Sequence, residues 1–144
     1  MVLAMTIVTL FLGASASLIQ KQTSDQLLTF DSDLRNYIRN TRDIGLSEQS
    51  AYFIHFTDTK VWRSKSPIID KENAEFALDV PPASQLYIQL NNKWTTISKN
   101  DSASCLFSRS GISEPCTIRF LLDGSDFEFE LHPLTSLPVY DAAK

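Results

Sequence analysis

The side chains able to do chemistry are few and widely spaced. There are two histidines, His55 and His132, and two cysteines, Cys105 and Cys116. Neither cysteine has a histidine close in sequence to draw off its proton, so an activated thiolate is not signalled. Ser110-Gly111 lacks the G-x-S-x-G frame in which a sharp strand-to-helix turn presents a serine nucleophile. Both histidines lie in alternating stretches, and each is expected as a surface or half-buried strand residue. No C-x-x-C pair and no Cys/His ligand spacing occurs, which argues against structural zinc. Asp123, Asp126, Glu128 and Glu130 have the charge for calcium but not the spacing of a calcium loop. Glu128 and Glu130 share one strand face and read better as a solvated edge. The expectation is a protein that is not an enzyme, with no catalytic residue, no cofactor and no metal.

Cys105 and Cys116 invite a geometric test. In a hairpin turning at Ser110-Gly111, the two would stand opposite each other on adjacent strands. Such a pair can be bridged when the side chains converge. Closing so short a loop contributes about 2–3 kcal/mol in the chain-entropy model. Two readings stay open: a disulfide, in an oxidising compartment, or two buried free thiols.

The elements that must carry these residues divide the chain in two. With 144 residues it has room for one domain. Hydrophobic content is 43%, and the net charge is -4. Lys21, Arg35, Arg39 and Arg42 balance Asp25, Asp31, Asp33 and Asp43, so the acidic excess lies after residue 45. An acidic domain without a basic stripe argues against nucleic acid as a partner, since phosphate contacts need clustered Lys and Arg.

Residues 2–19 carry no charge. As a helix of about 18 residues they reach roughly 27 Å, close to the hydrocarbon core of a bilayer. Ala14-Ser15-Ala16 matches the small-residue cleavage pattern of a secretory signal, although no Lys or Arg precedes the apolar run. A buried core helix is the plainest reading. Beyond the run, Leu27, Leu34 and Thr41 recur every seven residues, and Phe30, Tyr37, Ile38 and Ile44 fill the same stripe. Charged residues lie largely off it, so an amphipathic helix is predicted. Asp31 and Arg35 form an i, i+4 pair, and Gly45 is the predicted left-handed stop. The first proline is Pro67, so nothing breaks the helix earlier.

After Gly45 the period changes to two. Tyr52-Ile54-Phe56, Phe76-Leu78-Val80, Leu86-Ile88-Leu90, Ile118-Phe120-Leu122 and Phe127-Phe129-Leu131 alternate, while Val61 with Trp62 marks a short return strand and Trp94 with Ile97 another strand. Asn91-Asn92 and Asp123-Gly124 are turn signals between them. Six to nine short antiparallel strands are predicted. The domains read as 1–21, an apolar transmembrane or assembly helix; 22–45, an amphipathic helix continuing it; and 46–144, an antiparallel β domain. The fold class is α+β, a long N-terminal helix, apolar half then amphipathic half, packed on a small antiparallel β domain.

This layout resembles type IV pilin-like proteins. VLAMTIVTLFLG is similar to the part of their signature that follows the leader, and the family's glutamate would then lie directly before Met1. FDSDLRNYIRNTRDIGLSEQSAYFIHF and CLFSRSGISEPCTIRFLLDGSDFEFELHPLTSLPVY resemble the helix end and the closing segment of H-type (FimT-like) minor pseudopilins of type II secretion. Phe107, Gly111, Ile118, Phe120 and Thr135 fit, while Ser136 stands where that family usually has glycine. Residues 58–104 carry no resemblance.

The resemblance implies a minor pseudopilin of a type II secretion filament, or of a related type IV pilus, made as a methylated prepilin. It implies a single-pass bacterial inner-membrane location with the β domain in the periplasm. The helix residues Leu3, Ala4, Ile7, Leu10, Phe11, Gly13, Ala14 and Leu18 would meet lipid and then neighbouring subunits, small residues allowing close backbone approach. Expected partners are other pseudopilins or pilins, an inner-membrane assembly platform, the lipid bilayer and a secreted substrate. The alternative is a secreted or membrane-tethered β-sandwich binding protein whose signal is cleaved after Ala16.

Overall fold

The computed structural model describes residues 2–70, 74 and 76–139, and for residues 2–21, 23 and 24 it describes no side chain. The chain runs α1 (Val2–Glu48), β1 (Tyr52–Phe56), β2 (Lys60–Ser64), β3 (Leu78–Asp79), β4 (Gln85–Leu90), β5 (Lys93–Ile97), β6 (Ala103–Phe107), β7 (Cys116–Leu122), β8 (Ser125–Leu131) and β9 (Pro138–Val139). The strands form two antiparallel sheets, one ordered β3-β2-β1-β6 and the other β5-β4-β7-β8-β9.

The expected α+β architecture, a long two-part helix on one small β domain, is corrected. The described chain is mostly β, nine strands in two sheets, and the helical part with described packing covers residues 25–48. The single-pass inner-membrane location is corrected as well. Among the described residues, no helix is long and apolar enough to cross a membrane. The side chains of Leu3, Ala4, Ile7, Leu10, Phe11, Gly13, Ala14 and Leu18 lie outside the described residues.

Two alternating patterns and one helical stripe meet in a single core. The four-stranded sheet contributes Ile54, Phe56, Val61, Cys105 and Phe107. The five-stranded sheet contributes Leu86, Ile88, Cys116, Ile118, Phe120, Phe129 and Leu131. Leu27, Phe30, Leu34 and Ile38 bring α1 into the same core. Phe30 meets Phe120 edge to face at 4.9 Å, and the Arg35 guanidinium lies 4.2 Å over the Phe129 ring. Arg35 is held by its Nε–H, which is shared between the two carboxylate oxygens of Asp31 one turn earlier, at 2.8 and 2.9 Å. Thr41, fully buried in the stripe, satisfies its hydroxyl on the Tyr37 carbonyl at 2.8 Å.

The helix ends three residues beyond the predicted Gly45. Gln49 takes the left-handed conformation, φ 50°. Its N–H donates to Leu46 O, and Ser50 N–H donates to Gly45 O, which is a Schellman closure. A Cβ on Gly45 would approach Ser50 O to 3.1 Å, so the closing loop passes close to this position. The two tightest hairpins follow the turn chemistry. Asn91-Asn92 has φ 51° and 63°, and Asp123-Gly124 has 47° and 80°, both central residues left-handed as a type I′ turn requires.

Candidate functional site: a sealed histidine, a thiol pair and two outer sheet faces

His55 was expected at the surface or half buried, and it is fully buried instead. On β1, Ile54 and Phe56 face the core, so His55 points to the opposite face of the sheet. It pairs there with Trp62 on β2 and Ser104 on β6. The Trp62 ring lies 5.3 Å from the imidazole, and Phe53 stacks at 6.2 Å. Nε2 is 3.1 Å from Ser66 O and 2.8 Å from Ser64 Oγ; Nδ1 is 2.7 Å from Ser104 Oγ. A carbonyl only accepts, so Nε2 carries the proton and Nδ1 accepts from the Ser104 hydroxyl. The neutral ring therefore has every polar atom satisfied. Burial holds its pKa below the ordinary histidine range, against the opposing pull of the Ser66 carbonyl.

A serine hydroxyl donating to a histidine is the start of a nucleophilic dyad. Here the ring has no solvent exposure, so no substrate reaches it, and the group serves as a polar lock between β1, β6 and the chain after β2. Sequence spacing did not show this set, because Ser64, Ser66 and Ser104 become its neighbours only through strand pairing. His132 is exposed just after β8 and is far from being a companion to it in the sheet order.

The structure does not place Cys105 and Cys116 across one hairpin. β6 pairs with β1, and β7 pairs with β4 and β8, so the cysteines belong to different sheets. Both are buried free thiols. The chain between them turns at Gly111, φ 77°, with Phe107 bridged to Ser113.

Among the described residues, no group of three or more His, Cys, Asp or Glu is placed to hold a metal ion. The outer face of the five-stranded sheet explains where the acidic residues go. Arg119 pairs with Asp126 at 2.9 Å and reaches Glu128 at 3.8 Å. Beside it Tyr87, Trp94 and Leu121 line a shallow hollow with Arg119. A second, larger groove of about 870 Å³ runs between α1 and the β3–β4 connection, lined by Asp25, Thr29, Phe30, Asp79, Val80 and Pro81 among others.

Ser136 stands where the resembled family has glycine, and its backbone is left-handed, φ 52°. Its buried hydroxyl donates to Gly111 O at 2.8 Å, tying the last described loop to the β6–β7 turn. No family model, curated protein or solved structure matches the chain.

Proposed function

We propose that the chain is a pilin-like filament subunit, of the minor pseudopilin kind that serves type II secretion or a related type IV pilus, and that it acts by packing and not by catalysis. One observation supports this most. The uncharged residues 2–19 lead, without a proline, into an amphipathic helix whose stripe from Leu27 to Thr41 is buried against both sheets. The opposite face, including Leu28, Ser32, Asn36, Arg39 and Asp43, stays exposed. A helix held firmly along one stripe couples the β sandwich mechanically to whatever the preceding segment packs against. The sealed His55 and the lack, among the described residues, of a His/Cys/Asp/Glu group placed to hold a metal ion fit a role in packing.

The second reading is a β-sandwich binding protein with a cleaved signal. The exposed Tyr87, Trp94, Leu121 and Arg119 hollow on a sheet face favours it. The test is expression of the full chain in its native cells, with crosslinking, identification of the crosslinked partners as pilin-like subunits or not, and sequencing of the amino terminus. The subunit reading expects crosslinks to such subunits, abolished by Gly13→Arg with the β domain still folded. A released chain beginning near Ser17, without crosslinks, would establish the binding protein in its place.

A further inference from the structure

Cys105 lies on the inner face of β6, opposite Ile54, and is fully buried. Cys116 lies on the inner face of β7, between Leu90 and Leu131, and is equally buried. The two side chains enter the same core from the two sheets, with Cys116 near enough to raise the pKa of the Cys105 thiol. The intervening chain is fixed in a way that maintains this approach. Glu114 N–H donates to Leu106 O at 3.2 Å, and the Glu114 carbonyl stands 4.0 Å from Cys105 Sγ. Only Pro115 separates that anchored residue from Cys116.

We propose that Cys105 and Cys116 are a modification site, closed into a disulfide that staples the four-stranded sheet to the five-stranded one. The oxidant is a disulfide, either a small molecule such as glutathione disulfide or a protein that carries a reactive disulfide. One cysteine thiolate attacks a sulfur of that disulfide and releases one thiol. The second cysteine thiolate then attacks the mixed disulfide and releases the other. Two cysteines lose two protons and two electrons, and one disulfide becomes two thiols. The neighbouring Cys116 and burial hold the Cys105 thiol well above its usual range, so exchange in the closed sandwich is slow. The bridge is therefore made during folding, while the sheets are apart, and is shielded from reductants afterwards. No other cysteine competes for either partner.

The experiment refolds the full chain in glutathione and glutathione disulfide, then alkylates it in denaturant and digests it with trypsin. Cleavage after Lys99, Arg109 and Arg119 puts the cysteines on separate peptides, 100–109 and 110–119. The proposal expects these two peptides joined in the monomer and a melting temperature about 10 °C above that of the reduced chain. Cys116→Ala should melt at one temperature with or without reductant. Full alkylation of both cysteines in refolded monomer would overturn the proposal. So would linkage confined to dimers, or a wild-type melting temperature that ignores reductant.

Discussion

The outer faces of the two sheets are built on opposite principles. On the four-stranded sheet, Trp62 and His55 are sealed, with Phe53 beside them, under the chain that follows β2. On the five-stranded sheet, Trp94 is 44% exposed amid Arg119, Asp126 and Glu128. The first sheet buries its outer face around Trp62 and the hydrogen-bonded His55 as well as its inner one, and the second alternates inside and outside as a half-solvated antiparallel sheet does. A tryptophan is therefore structural in one sheet and available for contact in the other. That difference leaves the Trp94 face of the five-stranded sheet open to contact.

The widest gap is expected between the tryptophans themselves. Trp62→Ala should cost about 3–5 kcal/mol of unfolding free energy, as large core truncations do, whereas Trp94→Ala should stay within about 0.5 kcal/mol. Equal losses in denaturant titrations would erase the distinction between the faces. His55→Ala should cost about 1–3 kcal/mol through stranded hydrogen-bond partners.

The same histidine sets a pH signature. Its folded pKa is depressed, so its contribution is complete above the unfolded value near 6.5 and is lost as pH falls below that toward the folded pKa. The slope is at most about 1.4 kcal/mol per pH unit. Wild type should lose stability from about pH 6.5 downward more steeply than His55→Ala, and parallel curves for the two would show that the ring is not held neutral. Gly111→Ala comes next, at about 1 kcal/mol. The left-handed backbone disfavours a side chain, and the new Cβ would meet the mobile end of Leu46 at 3.1 Å. Arg119→Ala should be smallest, within about 0.5 kcal/mol, because its ion pairs are half exposed. A loss of crosslinked partners with no loss of stability in Arg119→Ala or Trp94→Ala would sharpen the assignment of the contact face.

Legibility followed the same division. The strands around Leu86-Ile88, Ile118-Phe120 and Phe129-Leu131 showed their pattern because one face meets water and the other meets the core. Asn91-Asn92 and Asp123-Gly124 showed their turns because each needs left-handed residues. The stripe from Leu27 to Thr41 was readable for the same reason of period. His55 was misplaced because alternation implies a wet outer face, and nothing local announced that residues after Ser64 would cover it. The cysteines were misplaced because a glycine between strands looks alike whether the chain folds back in one sheet or crosses to another. The α+β expectation gave the helix too much weight, and β9, two residues long, carried no period to announce it.

The contact of Phe30 with Phe120 also governs the order in which the molecule can be finished. About ninety residues separate the two rings along the chain. During synthesis the apolar stripe of α1 leaves the ribosome first, and its seat on β7 leaves on the order of ten seconds later. For that interval Leu27, Phe30, Leu34 and Ile38 have no native cover from the five-stranded sheet. A chaperone or a surface that shelters an apolar helix early would therefore raise the yield of folded chain without touching its final stability.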